Sequence, residues 1–477
     1  MLIEYGDRVS EIDGEYWELN DLRAKLNLDP EDASGADQLM STDEGQILSG
    51  LIPLVSELLD DVEVEYPDDL IRAEVSTEDL VPLFKGIVPY DYQIAATKKM
   101  LLQGRGLVEL PTGSGKTEIA AAATRWYTEQ HGLRVLFLSG SALITTQGRE
   151  RFLKRGVPEV GIYHGDEKDL GPDVVSATIQ SLYSGIKKGD ERVVDLLDSE
   201  VLIVDEVHHL PAKMWTTVMS QSKARYRFGL SATVFDEPGE YSIRDLVLIG
   251  LTGPVLIYVP LRVLIQRGIL PEPIIYIARI RGDRIKSSNW DKVYKLGIVE
   301  SEEGNDIIAK IAGQLSQEGT KSLTFVNRVT THAHQLLPLM QPLCTQAAAY
   351  SGGGRILRYV GDSKVDGTWD LETLREYINL TDGLALVATS VLDEGVDIPD
   401  FGAVIMGGGL KKARRVVQRI GRAMRKEEGS ESPGTFPVFD FIHESHFYLQ
   451  RHSEKRIQLY KDLGLQVRSI TASGVEL

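Results

Sequence analysis

The stretch ELPTGSGKT, residues 109–117, constrains this chain of 477 residues more than any other. Before it, a short apolar run at 107–110 predicts a buried strand; after it, residues 116–130 are Ala-rich and free of Gly, which predicts a helix. Strand, Gly-rich turn and helix in that order make a cradle for phosphate. Gly113 and Gly115 let the backbone turn its N–H groups inward, and the helix N-terminus presents partial positive charge. Lys116 adds a full charge, and Thr117 offers a hydroxyl to Mg²⁺. Thr112 and Ser114 complete the loop, while Leu110 stands where the general pattern has its first Gly. The chemistry this predicts is binding and turnover of ATP.

About twenty residues upstream, VPYDYQ supplies Tyr90, Tyr92 and Gln93. A Gln amide can pair with two edges of adenine and a Tyr can stack on the base. Downstream, strands at 135–138 and 173–176 run into SGSALITTQ and ATIQSL, which places Ser, Thr and Gln where parallel strands end and ligands bind. A third apolar run, 201–204, ends in DEVHH. There Asp205 is suited to hold Mg²⁺ and Glu206 to polarise an attacking water. His208 and His209 beside carboxylates suggest a metal site, but behind a phosphate loop a sensing or packing role is the better reading. The run at 227–230 leads into Ser231-Ala232-Thr233, whose hydroxyls can bond the Asp-Glu loop and pass on the nucleotide state.

Pro and Gly content rises over 254–273, and a second α/β pattern follows, with strands at 274–280, 323–325, 347–350, 385–388 and 403–406. It has no phosphate loop. It carries VATSVLDEGVDIPD and then residues 411–426, with eight basic side chains and no acidic one. On a helix Arg415, Arg419, Arg422 and Lys426 share one side. Arg422 and Arg425 are suited to stabilise charge on a transferring phosphoryl group, with Gln418 one turn earlier to position the water.

Composition limits the alternatives. Residues 1–85 hold 23 Asp and Glu against 5 Lys and Arg, so they account for the whole net charge of −18, and the rest of the chain carries 47 of each sign. A balanced body can still hold a basic channel, so the acidic pI does not exclude a nucleic-acid partner. The acidic segment reads as a small separate domain: a short amphipathic stretch at 16–28, a loop at 29–42, helical apolar spacing at 46–59 and a strand at 62–66. Its carboxylates read as a solvated face. Cys344, the single cysteine, can form no intramolecular disulfide and reads as a core side chain. No apolar run reaches membrane-spanning length and no basic-then-apolar leader is visible, so a soluble, intracellular protein is expected.

The ordered set YQ, PTGSGKT, DEVHH, SAT, TFVN, ATSVLDEGVDIP and QRIGRAMR, spanning residues 90–425, resembles that of superfamily 2 helicases and translocases. Within that superfamily, DEVHH, LDEGVDIP and GRAMR resemble the XPB and phage UvsW branch more than the DEAD-box RNA helicases. The segment before the motor also looks like its counterpart in UvsW-type enzymes. The resemblance implies an α/β chain of two tandem RecA-like parallel-sheet domains, 86–255 and 256–450, after a small acidic α+β domain, 1–85, and before a C-terminal helical tail, 451–477.

The resemblance also implies roles. Gln93 reads adenine, with Tyr90 standing where many relatives have Arg; Lys116 and Thr117 take the phosphates and Mg²⁺; Asp205 holds the metal and Glu206 is the base. Gly395 and Asp397 meet the nucleotide from the second domain, Gln418, Arg422 and Arg425 complete the site, and Ser231 and Thr233 couple it to the rest. Thr146, Thr178, Asn327 and Thr389 hold the nucleic-acid backbone. The implied activity is a DNA-dependent ATPase that unwinds or branch-migrates forked and recombination DNA, as a monomer of phage type. The alternatives are an RNA helicase, or an ATP-gated factor that binds and anneals without net unwinding. An acidic accessory domain departs from what DNA binding would favour.

Overall fold

The computed structural model describes residues 1–471 apart from 14–15, 27–38, 42–43, 60–61, 166, 236–240, 352–353, 361–362, 390–400, 410–415, 417–419 and 422–433. Apart from three loop residues, Thr112–Ser114, the chain up to Val259 forms one compact unit and Pro260–Leu477 forms another.

The first unit begins with a five-stranded sheet made of β1 (Leu2–Glu4), β2 (Val9–Asp13), β3 (Met40–Ser41), β4 (Gln46–Leu48) and β5 (Glu63–Glu65), in the spatial order 3-4-2-1-5. The helical spacing over 46–59 serves two elements. β4 takes its first three residues, a 3₁₀ turn covers Ser49–Leu51, and the helix starts only at Ile52. Pro53 falls in its first turn, where a missing N–H costs nothing. Glu4, Glu11, Asp13, Glu63 and Glu65 are all exposed, and Glu4 pairs in register with Glu11 on one side and Glu65 on the other. This is a solvated acidic face.

The sheet is its own, but its core is not. Ile3, Leu51, Ile52 and Val55 are fully buried in one apolar cluster with Leu246, Leu248, Ile249 and Leu251 of the helix Ile243–Thr252. Each such side chain contributes about 1.5–3 kcal/mol. The approach is close enough that a Cβ on Gly50 would lie 2.1 Å from the Ile249 carbonyl oxygen. Two other acidic residues pair across the surface: Asp7 and Asp69 bond Arg225 at 2.7 and 2.8 Å.

The larger sheet of this unit comprises β6 (Arg105–Glu109), β7 (Val135–Ser139), β8 (Gly161–His164), β9 (Glu167–Asp169), β10 (Val174–Thr178), β11 (Val201–Asp205), β12 (Tyr226–Ser231) and β13 (Val255–Tyr258), in the order 13-6-12-11-7-10-8-9. All neighbours are parallel except β8 and β9. Runs such as VLFLS and YRFGLS are buried throughout, as strands covered on both faces require. Arg227, fully buried, donates to the carbonyls of Ala224, Met219, Ser222 and Leu251 and so pins the helix Ile243–Thr252 to β12.

The second unit has a nine-stranded sheet: β14 (Glu272–Ile280), β15 (Ser322–Phe325), β16 (Gln346–Ser351), β17 (Arg355–Val360), β18 (Ser363–Thr368), β19 (Leu384–Ala388), β20 (Ala403–Ile405), β21 (Thr435–His443) and β22 (Gln466–Ser469), in the order 18-17-16-19-15-20-21-14-22. Parallel pairing dominates, and the two-sheet α/β expectation holds. Two features were not foreseen. β17 and β18 add an antiparallel hairpin to one edge. The segment expected as a helical tail belongs to the helix Phe447–Asp462 only in part, because after Gly464, at φ +70°, the chain returns as β22 and pairs with β14. Asp440 on β21 accepts two hydrogen bonds from Arg456, at 2.8 and 2.9 Å, and one from the Tyr460 hydroxyl at 2.7 Å, which anchors that helix. Burial pushes the Cys344 thiol up to about 11, which fits a packing residue and not a reactive one. Among the described residues no helix is long and apolar enough to cross a membrane.

Candidate active site

β6, β12 and β11 are adjacent and parallel, so the loops that follow them leave the same edge side by side: phosphate loop, Ser231-Ala232-Thr233, then DEVHH. This is the edge where open α/β sheets bind ligands. The register makes the match residue by residue. Ser231 pairs with Glu109, and Asp205 with Leu230.

In the loop, Gly113 and Gly115 both have φ +83°. Gly115 is required twice over, since a Cβ there would also lie 2.3 Å from Gln93 Nε2. Gln93, 3% exposed, therefore braces the loop from the helix Asp91–Gln103, and its Oε1 accepts the Tyr90 N–H at 2.9 Å. That bracing role was not read from the sequence. Tyr90 remains exposed and stacks on Tyr92 with ring centroids 5.5 Å apart. Ser114 is buried, and Thr112 and Thr117 are partly so. Lys116, the first residue of the helix Lys116–His131, donates to the carbonyls of Leu110 and Pro111 at 3.1 and 3.4 Å.

From that lysine, hydrogen bonds run continuously to the acidic loop. The Leu110 N–H donates to the Ser231 carbonyl at 3.0 Å. The Ser231 hydroxyl donates to the Thr233 carbonyl at 2.8 Å and accepts from the Thr233 N–H at 3.2 Å, so its remaining lone pair takes the proton on His208 Nδ1, 2.9 Å away. The same Nδ1 lies 3.2 Å from Glu206 Oε2. His208 thus bridges the candidate base to the serine loop. His209 packs between His208 and Trp215, at 4.2 and 6.0 Å between centroids. No group of three or more metal-ligating side chains occurs among the described residues.

Glu206 is 7% exposed and has φ +49°, and among the described residues no other non-Gly side chain sits at positive φ. Such a conformation costs about 1–3 kcal/mol and persists only where neighbours impose it. Here the neighbours are Asp205, whose Oδ1 accepts the Glu206 N–H at 3.0 Å, and His208.

The other expected residues are placed differently. Thr178, 4% exposed, spends its hydroxyl capping the helix Ile179–Lys188. Thr146 donates to the Ala142 carbonyl within its own helix and lies 3.2 Å from His164 Nε2. In the second unit Asn327, exposed just after β15, donates to the Gly408 carbonyl at 2.7 Å, and Thr389 follows β19 directly. Gly395, Asp397, Gln418, Arg422 and Arg425 lie outside the described residues.

Residues 86–236 match the family described as type III restriction enzyme, res subunit, and residues 304–427 match the helicase conserved C-terminal domain. Among curated relatives, the chain is 26% identical over 396 residues to the DNA 3'-5' translocase XPB2 of Sulfurisphaera tokodaii, covering 77% of this chain and 86% of that one. It is 25% identical over 411 residues to the ATP-dependent DNA helicase uvsW of Enterobacteria phage T4, covering 79% and 76%. The fold is shared with the helicase MrfA bound to DNA, at a TM-score of 0.56 and 16% identity over 85% of this chain and 52% of that one. It is also shared with S. cerevisiae Dbp5 bound to RNA, at 0.55 and 15% over 83% and 93%. With two helicase domains in tandem, the chain is an enzyme of the superfamily 2 helicases and translocases, similar to UvsW and XPB.

Proposed function

We propose that the chain is an ATP-driven DNA motor that unwinds or branch-migrates forked and recombination intermediates. The observation that carries the reading is the hydrogen-bonded path from Lys116 through Leu110 and Ser231 to His208, whose Nδ1 lies 3.2 Å from Glu206 Oε2. Lys116 exchanges the Leu110 carbonyl for ATP phosphate oxygens, and the inward N–H groups around Gly113 and Gly115 hold the same anion. Gln93 and Tyr90 meet the base. Glu206, held near His208, orients the water and takes up its proton. Movement at the phosphates reaches Ser231 through Leu110, which is how nucleotide state leaves the site.

Thr117 in the first helical turn and Asp205 at the end of β11 are an oxygen donor set suited to Mg²⁺. When bound, the ion neutralises charge on the phosphates. Gly395, Asp397, Gln418, Arg422 and Arg425 supply the second domain's part of the site, and Thr146, Thr178, Asn327 and Thr389 line the path of the strand. Thr178 acts there through the helix N-terminus that it caps.

The test is strand separation and Holliday-junction migration by the full chain with ATP. The reading predicts both activities on forked and four-way DNA, with little on an RNA duplex. Preferential unwinding of RNA, or annealing without unwinding, would put one of the alternatives in its place.

A further inference from the structure

β14 and β21 lie side by side and run in the same direction, so the segments leaving their C-terminal ends emerge together on the loop edge of the second sheet. They are locked to each other. The Ile285 N–H donates to the Ser445 carbonyl at 2.9 Å. His446 caps the helix Phe447–Asp462: its Nδ1 accepts the Tyr448 N–H at 3.1 Å, which leaves the proton on Nε2 to be donated to the Ser287 carbonyl at 3.0 Å. Beneath them Ile285 and Leu449 pack with Val293 and Tyr294. Trp290 lies against His452 with centroids 4.9 Å apart. Arg328, the neighbour of Asn327, sits 5.2 Å from the Tyr294 ring centroid and joins this platform to the end of β15.

The platform leaves part of its ring surface uncovered. Phe447 is 66% exposed, more than any other aromatic side chain among the described residues, and Tyr448 and Trp290 are 41% and 40% exposed. Around them Arg284, Lys286 and Arg451 are exposed to solvent. The helix has no acidic residue in its first turn, and a cation one turn in, against its dipole. Exposed rings beside cations at a helix N-terminus match a ligand that is both anionic and stackable.

We infer that this surface holds single-stranded nucleic acid, with bases stacked on Phe447 and Trp290 and phosphates met by Arg284, Lys286 and Arg451. The inference rests on the reading of the chain as a DNA motor and adds the surface on which one strand is gripped.

The test measures binding of a fluorescent oligothymidylate and of a duplex of equal length by the full chain at two salt concentrations. The variants are Phe447→Ala with Tyr448→Ala, Phe447→Trp alone, and Arg284→Ala with Lys286→Ala. All these positions are exposed, and thermal melting confirms that each variant is folded. Single-strand affinity is expected to fall about tenfold in the aromatic variant, the size of a lost base stack, with duplex affinity changed less than twofold. Phe447→Trp should bind like wild type, and the charge variant should lower the salt slope by about one to two. Wild-type single-strand affinity in the aromatic variant would overturn the inference. ATP turnover with and without DNA in the same wild-type preparation separates the two claims. A DNA-stimulated wild type with unaffected variants removes this surface alone, whereas a wild type that neither binds nor responds to nucleic acid removes the motor reading as well.

Discussion

The loop edges of the two large sheets differ in how they treat polar groups. On the first sheet they are buried and bonded to one another: Gln93, Ser114, Glu206, His208 and Ser231 are all at most 8% exposed, and each loop is tied to the next. On the second sheet Asn327, Trp290 and Phe447 stand in solvent on a braced framework. A buried, mutually bonded set fixes atoms to a few tenths of an ångström, as bond-making requires. An open set of rings and cations fits a ligand that slides. One edge suits chemistry, the other grip.

The comparison breaks most visibly at the lysine and the glutamate. Lys116→Ala should abolish ATP turnover, and Glu206→Gln should lower it by about 10²–10⁴, the usual worth of a general base, with ATP binding retained in the glutamine variant. Radiometric turnover and nucleotide binding by calorimetry check both. A smaller effect is expected at the bridge. His208→Ala removes the hydrogen bond to Ser231 and the imidazole that lies beside Glu206, a loss of about 0.5–1.5 kcal/mol, so kcat should fall about 2- to 10-fold while KM for ATP moves far less. A change confined to KM would make His208 a packing residue only.

At the junction of the acidic sheet with the motor the expected effect is on stability. A Cβ at Gly50 meets the backbone oxygen of Ile249, so Gly50→Ala should cost about 1–3 kcal/mol and lower the melting temperature of the first unit, with turnover per folded molecule unchanged. An unaltered melting curve would mean that the two elements are not held as closely as described.

A further effect is in acid and belongs to the second unit. Burial holds His332 down to about 4 and His443 down to about 3, against an ordinary value of about 6.5. The unfolded chain therefore binds these protons first. Stability is complete above about pH 6.5 and is lost progressively as pH falls through 4 toward 3. His443→Gln should flatten that loss, and melting as a function of pH measures it.

Much of the first site was legible because its parts are local. Gly113, Lys116 and Thr117 are neighbours in sequence, and the end of a buried apolar run located Asp205 and Glu206. What was not legible arose from register between strands far apart in the chain. That the Ser231 hydroxyl meets the Asp-Glu loop was legible, but that its partner there is His208 was not, and Gln93 as a brace depends on where its helix crosses the loop. In the acidic segment one apolar spacing served β4 and a helix in turn, because periodicity alone does not say where a strand gives way to a helix. The hairpin of β17 and β18 was missed because two short strands in a Gly-rich segment resemble a loop.

The central claim is that the bonded edge of the first sheet hydrolyses ATP in response to DNA. The measurement that tests it most directly is steady-state ATP turnover by the full chain alone and with forked DNA, single-stranded DNA or RNA, with Lys116→Ala as the blank. Stimulation of about tenfold or more by forked DNA, less by RNA, and none in Lys116→Ala is the predicted result. Turnover that ignores nucleic acid, or that survives in Lys116→Ala, would contradict the account.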